Sequence, residues 1–490
     1  MNFIDLLDDK EQRLLTIFHH CVTQGSITID ELLSNIHVSK PTLFSYIQEI
    51  NDYHYPKYNS NILFSNSNQI FIKNNLNMDL LIFYKDLAKT SIPATILSQL
   101  FLKGTLSISE LAEACHCSTV LLYRKIKKLN LFLESYNIQI LLSPVRLCGA
   151  EEQIRYIYKC FFWSIYRGME WPFVNLPRQE LLDLVQKKTP FLLSYQASVM
   201  KESILYDIAI IMTRRKMNYF VSHIITQNMN SPLTKILSSF ESLNKSQRLP
   251  SISKFENSYI LALLEIPSFV SNDPSVTNEM YHFYQHQNHI SYEMLVFVMQ
   301  ILKQYLTPSD YLKINNPSFK MDVIRTFFIL FYFEGDKNNF FPFSKKQHKT
   351  NLYLKQLIFH ITEKARNIHP LLYKKEAFWA ERLSKILETT LSFKKYLPEI
   401  SILIDTDIDA LDNRLIGQIK KFGYNCSFSN FSNPSQLDEY DLLLSNAISA
   451  YNMNEVFIFF HQQLTPFDCT LLEKKLHDLT IKKIAHTFTF

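Results

Sequence analysis

Three short stretches of this chain carry residue types that could do chemistry. Cys115-His116-Cys117 brings two thiols and an imidazole together, the ligand types of a soft metal site. Arg124, Lys125, Lys127 and Lys128 crowd cations into one short run, which suits a polyanion. Asp405-Thr406-Asp407 follows the strand-like Ile402-Leu403-Ile404, an order in which one carboxylate could attack phosphorus and the second handle the leaving group's proton. Which of these is real depends on the elements that hold them.

Composition narrows the choice first. The chain has 490 residues, 47% hydrophobic and 20% charged, which reads as a soluble multidomain protein. It has only 7 glycines, which favours helices over glycine-dependent turns and phosphate loops. Neither G-x-G-x-x-G nor G-x-x-x-x-G-K-[ST] occurs, so the usual nucleotide-binding loops are excluded. The N-terminal MNFIDLLDDKEQRLL is acidic and amphipathic, unlike a signal peptide. The most apolar run, Val323 to Phe333, includes Arg325 and is too short to span a bilayer. Scattered cysteines with no paired framework point to a reducing cytoplasm, and from the shortness of the apolar runs no membrane partner is expected. Net charge is +5, and residues 1–150 are balanced between basic and acidic side chains, so only local charge could mark a nucleic-acid surface.

An internal repeat supplies the missing context. Residues 25–51, GSITIDELLSNIHVSKPTLFSYIQEIN, align without gaps on residues 104–130, GTLSISELAEACHCSTVLLYRKIKKLN. Nine positions are identical: Gly25/Gly104, Ile29/Ile108, Glu31/Glu110, Leu32/Leu111, His37/His116, Ser39/Ser118, Leu43/Leu122, Ile47/Ile126 and Asn51/Asn130. Thr28 and Ser107 stand three residues before a glutamate, the capping-box spacing. Ser39 and Ser118 cap a second helix whose apolar residues recur at i, i+4 and i+7. After each copy come two short apolar runs around turn residues, NILF/QIFIK and IQILL/VRLCG. Two short helices, a tight turn and a trailing hairpin make a winged helix-turn-helix, used here twice in tandem.

The repeat ranks two of the three chemistries. Cys115 and Cys117 align with Ile36 and Val38, so they read as small core hydrophobes, and C-x-C with one histidine lacks a second ligand pair. No metal or cofactor is expected. The basic run falls on the second helix of a helix-turn-helix, where contact with duplex DNA is the better reading than a solvated, dipole-compensating face. Ser118, Thr119, Val120 and Tyr123 at its start are candidates for base edges, Arg124 for guanine, Lys125, Lys127 and Lys128 for phosphates, and Arg146 near the wing tip for the backbone. The first copy offers Ser39, Lys40, Thr42, Ser45 and Tyr46, then Glu49, and is expected to add less affinity.

The rest reads as helices to about residue 395, then a small α/β region. EEQIRYIYKCFFWSIYR is expected to be an amphipathic connecting helix, WPFVNLPRQE a linker, and Arg214, Arg215 and Lys216 a cationic helix end explained by the dipole. In the tail, ISILIDTD resembles the opening of a haloacid-dehalogenase-type phosphatase. However, Asp409 stands where Thr or Val belongs, and the remaining chain is too short for the later motifs. Ala410 and Ile416 likewise rule out a calcium loop, leaving a helix-capping acidic loop. A phosphatase or phosphocarrier using Asp405 and Asp407 is the alternative function.

In its order of parts, and most specifically in GTLSISELAEACHCSTVLLYRKIKKLN and IQILLSPVRLCGAEEQIRYIY, the chain resembles the Mga/AtxA family of Gram-positive transcriptional regulators. Gly149, Glu151 and Arg155 look like that family's wing exit. The resemblance implies a mainly α, multidomain protein. Winged helices are expected at 1–75 and 76–172, two phosphotransferase-system regulation-like modules at 173–275 and 276–397, and an EIIB-like α/β domain at 398–490. It implies double-stranded DNA as partner, a homodimer or higher homo-oligomer formed through the C-terminal half, and phosphocarrier proteins as further partners. The tail lacks the cysteine that an active EIIB carries after its first strand. Lys201 and Tyr332 stand where relatives carry phosphorylated histidines, which leaves His223 as the phosphorylation candidate; His282, His286, His289 and His360 read as surface or satisfied side chains.

Overall fold

Local capping chemistry sets the first elements of the fold. The computed structural model describes residues 2–72, 76–188, 198–222, 241, 245, 250–265, 274–287, 289–335, 351–405, 409–430, 440–445, 457–459 and 464–488. The first repeat comprises α1 (Asp9–Gln24), β1 (Ser26–Thr28), α2 (Ile29–Ile36), α3 (Lys40–Tyr58), β2 (Leu63–Ser65) and β3 (Gln69–Ile72). Its strands form an antiparallel sheet in the order β1-β3-β2. After α4 (Asn77–Thr90) the second repeat comprises α5 (Ile92–Lys103), α6 (Ile108–Ala114), α7 (Thr119–Leu133), β4 (Gln139–Leu142) and β5 (Val145–Cys148). Here the third strand shrinks to a single bridge between Leu106 and Val145, and Leu106 is the repeat partner of Ile27 in β1.

The repeated residues do the same structural work in both copies. Gly25 and Gly104 end α1 and α5 at positive φ (78° and 75°), which a side chain would strain. Thr28 and Ser107 accept from the backbone N–H of Glu31 and Glu110, each at 3.2 Å. His37 and His116 both take left-handed backbone in the turn (φ 51° and 49°). Leu32, Leu43, Leu111 and Leu122 are fully buried. Asn51 fastens helix to wing: its Nδ2 donates to the Leu63 carbonyl (3.0 Å) and its Oδ1 accepts from Ile62 and Leu63 N–H. Asn130 repeats this on Ile140, donating to its carbonyl (3.1 Å) and accepting from its N–H (2.6 Å). The identities therefore conserve the folding of the unit, not one shared ligand surface.

The next helix, α8 (Glu151–Tyr166), departs from the sequence expectation. It is buried nearly all round, not amphipathic. Phe101 of α5 packs edge-on against Tyr158 and Phe162 on one side. Against a neighbouring face lies α10 (Ser198–Lys216), reached past α9 (Arg178–Lys188), with Trp163 against Tyr206 and Lys159 bonded to Asp207 at 2.6 Å. The supposed linker is also packed: Phe173 is buried, and Trp171 Nε1 donates to the Leu176 carbonyl at 2.7 Å.

Arg214 and Arg215 are likewise not a solvated helix end. With Glu151 and Arg155 of α8 and Glu256 of α11 (Lys254–Glu265), they form a buried charged node. Arg155 bridges both acids, reaching Glu151 Oε1 at 3.0 Å and both Glu256 oxygens at 2.9 Å. Arg214 grips Glu151 through Nε (2.9 Å) and Nη2 (2.6 Å), and its guanidinium lies 3.9 Å over the Tyr219 ring. Arg215 lies 3.4 Å from Glu256 and donates to the Pro250 carbonyl. Burial alone would raise the Glu256 pKa, but the Arg155 hydrogen bond and charge outweigh it and hold the carboxyl below its ordinary value.

The chain divides into two compact units, Met1–Gln287 with Phe331–Lys346, and Asn288–Leu330 with Gln347–Phe490. The first ends in α12 (Pro274–His286). The second begins with α13 (Ile290–Tyr305), α14 (Pro308–Ile314), α15 (Pro317–Tyr332), α16 (Leu352–Ala365), α17 (Pro370–Lys374) and α18 (Glu376–Thr390). It closes with β6 (Ile400–Asp405), α19 (Asp409–Lys420), β7 (Cys426–Asn430), β8 (Leu442–Ser445), β9 (Phe457–Phe459) and α20 (Pro466–Thr487). The four strands are all parallel, in the order β7-β6-β8-β9, as the alternation of strand and helix in the tail predicts. Ile400, Ile402, Ile404, Leu442 and Leu444 pack there with Leu472 and Leu476 of α20. No described helix is long and apolar enough to cross a membrane.

Candidate nucleic-acid interface

The outer face of α7 is the candidate site. Ser118 caps the helix, accepting from Leu121 N–H at 3.3 Å, so its oxygen is committed to the turn although the residue is exposed. Leu122, Ile126 and Leu129 anchor the inner stripe. On the opposite face Val120, Tyr123, Arg124, Lys127 and Leu131 recur at i, i+3, i+4, i+7 and i+11, all exposed. Val120 is 78% exposed and Tyr123 46%, large apolar areas for a surface with nothing to cover. Thr119 is exposed at the first turn and Lys128 half-buried at the side. Arg146 projects from β5 between buried Val145 and Leu147, opposite Leu141 in the hairpin register. Among the described residues Arg124, Lys127, Lys128 and Arg146 have no anionic partner. A helix N-terminus, free cations and an adjacent wing are thus presented together, the arrangement a duplex groove accepts.

Lys125 is a correction to the sequence reading. It is 8% exposed and lies on the inner stripe, three residues after Leu122 and four before Leu129. Its ammonium is bonded to the Asp8 carboxylate. The physical reason is helical period: position 125 faces inward whatever residue occupies it, and the aligned Tyr46 is half-buried too.

The first copy does not reproduce this face. At the repeat spacing Arg124, Lys125, Lys127 and Lys128 correspond to Ser45, Tyr46, Gln48 and Glu49. Ser39 caps α3 and shares a 2.8 Å bond with Thr42, which is half-buried. Lys40 and Ser45 are exposed, and Lys10 pairs with Glu49 at 2.9 Å. Among the described residues the equivalent surface thus offers one free cation, Lys40, at its helix start.

The competing chemistries find less support. Cys115 is buried like its partner Ile36, and burial pushes its thiol up to about 12, with Cys117 adding to the shift. The described residues contain no group of three or more His, Cys, Asp or Glu placed to hold a metal. Asp405 ends β6, while Asp407 and His223 lie outside the described residues. His289 uses Nδ1 to accept from Ser291 N–H, and burial lowers its pKa to about 4.

A family profile described as the Mga helix-turn-helix domain matches residues 76–162, which run from α4 into α8 and contain all of α7 and its wing. This stretch of the chain is thus an Mga helix-turn-helix domain. Named relatives are similar to the chain over part of their length. A "Putative trans-acting regulator" of Streptococcus pneumoniae serotype 4 is 31% identical over 26% of this chain and 27% of its own length. The "Anthrax toxin expression trans-acting positive regulator" of Bacillus anthracis is 25% identical over 37% of this chain and 38% of its own. The "Capsule synthesis positive regulator AcpB" of the same organism is 26% identical over 28% of each chain. The matches thus cover well under half the length of these relatives.

Proposed function

We propose that this chain is a transcriptional regulator of the Mga/AtxA family that binds double-stranded DNA through its second winged helix. The observation that carries the reading is the cationic face of α7, unpartnered among the described residues, inside the segment that matches the family's helix-turn-helix. In this role Thr119, Val120 and Tyr123 reach base edges, Arg124 pairs with guanine, and Lys127, Lys128 and Arg146 hold phosphates. The names of the relatives favour a regulator over an enzyme, and the protein acts in the cytoplasm, where its DNA is.

The helical modules are regulation-like and the tail is EIIB-like in this reading, with self-association through the tail. Phe467, 76% exposed, and Leu471 lie one turn apart on the outside of α20, an apolar pair suited to a second copy. Deleting residues 398–490 is expected to lower the oligomer mass measured by light scattering; an unchanged mass places the interface elsewhere. Control by phosphocarrier proteins, with His223 as candidate, is tested by phosphoenolpyruvate-driven labelling and mass spectrometry, where no acid-labile phosphate counts against it.

Genome-wide mapping of bound DNA in the source organism tests the main reading. Discrete enrichment upstream of genes whose transcripts change when the protein is removed is the expected result. Uniform background, with no such genes, contradicts it.

A further inference from the structure

We propose that the N-terminal segment Asn2–Asp8 is a strap that sets the position of α7, with Asp8 and Lys125 as its polar bond. This rests on the reading of α7 as the DNA-binding helix. The segment forms a single 3-10 turn, Phe3–Leu6, and its apolar residues Phe3, Leu6 and Leu7 are all fully buried. Phe3 packs edge-on against Phe132 of α7, with centroids 6.3 Å apart, and against Phe161 of α8 at 5.6 Å. One aromatic ring thus wedges the C-terminal end of α7 against the helix that follows the wing. Gln12 of α1 donates to the Leu7 carbonyl at 2.8 Å and the Asp5 carbonyl at 3.2 Å, fixing the strap to the first repeat.

The polar end is placed as specifically. Asp8 is the N-cap of α1, and its N–H donates to Glu11 Oε2 at 3.0 Å. Its carboxylate takes the Lys125 ammonium, whose side chain is only 9% exposed. A buried ammonium without an anion is costly, so the Asp8 carboxylate, itself largely exposed, offsets the burial that helical period imposes on Lys125. The second acid near the pair, Glu11, accepts from the Asp8 N–H through Oε2, and the Asp8 carboxylate is the one that meets Lys125. The first repeat therefore contributes through its N-terminus, by holding the helix of the second repeat, even though its own surface offers only Lys40 as a free cation among the described residues. Lys125 is a positioning residue that acts from behind α7 and makes no phosphate contact.

Salt titrations of duplex binding separate these roles, using the full chain and a mixed-sequence duplex. Each phosphate contact contributes about 0.9 to the slope of log affinity against log salt. The variants are Asp8→Asn, Lys125→Met, Phe3→Ala and the charge-reversed pair D8K/K125D, with Lys127→Ala as reference. Asp8→Asn, Lys125→Met and Phe3→Ala are expected to weaken binding about tenfold, equivalent to about 1.4 kcal/mol, with the slope unchanged. Lys127→Ala is expected to lower the slope by about 1. The reversed pair is expected to recover most of the affinity, which a mere loss of folding could not do. A slope loss in Lys125→Met like that in Lys127→Ala overturns the proposal by making Lys125 a phosphate contact. Wild-type binding by all three strap variants, with Lys127→Ala impaired, also overturns it and leaves the interface standing. If Lys127→Ala is silent as well, the interface and the strap fall together.

Discussion

Replacing Arg124, Lys127 and Lys128 together with alanine is expected to abolish most duplex binding while leaving the fold intact. Arg124 paired with a guanine is worth about 1–3 kcal/mol, roughly a 5- to 150-fold change in affinity. Each lysine that neutralises a phosphate adds about 0.9 to the salt slope, so losing both flattens it by nearly 2. These side chains have no partner among the described residues and sit outside the packed stripe of α7, so stability should change by no more than about 0.5 kcal/mol. A mobility-shift titration at several salt concentrations, with a melting curve beside it, gives both quantities. Retained affinity with an unchanged slope removes α7 from the interface.

The second large effect is expected in the buried node. Glu256 is fully buried, holds two Arg155 hydrogen bonds and one from Val221 N–H, and lies beside Arg215. Glu256→Gln would leave three buried arginines facing Glu151 alone. Breaking a buried pair in this way costs about 3–5 kcal/mol. Arg155→Met should cost less, because Glu151 keeps Arg214 and Glu256 keeps Arg215. Urea midpoints give the order, and a greater loss in Arg155→Met would contradict it. The sign of the pH dependence follows from the same carboxyl. Glu256 has a folded pKa below its ordinary value of 4.5. Its contribution is present above that value and is lost as the pH falls through the lower, folded one. Wild-type protein should therefore lose stability on acidification below about pH 4.5, and Glu256→Gln should lose less over that window.

The node also explains a limit of sequence reading. Dipole compensation is a sufficient local account of Arg214 and Arg215, because nothing near them in sequence names Glu151 or Glu256. Their partners lie on other helices, and only packing brings them together. The same holds for α8, whose run of aromatic and charged residues reads as amphipathic until α5 and α10 are both seen packed against it. What could be read in advance was local: the caps Thr28, Ser39, Ser107 and Ser118, the turn histidines, the wing hairpins, and the strand–helix alternation of the tail. Each is fixed within a few residues of itself.

Lys125 shows the boundary within a single helix. The apolar period of Leu122, Ile126 and Leu129 already places position 125 inside, but the residue type argues for solvent. Period prevailed because Asp8, far away in sequence, makes the burial affordable. Leu131, exposed beside Lys127 on the outer face, is the converse: an apolar residue placed by period on the side a ligand would meet.

Photo-crosslinking tests the central claim most directly. A photo-reactive residue is introduced in place of Thr119 at the exposed start of α7, or in place of Phe467 at the exposed start of α20, and each protein is irradiated with duplex DNA. The account predicts a covalent protein–DNA adduct from position 119 and little or none from position 467. Adducts from 467 without any from 119 would contradict it.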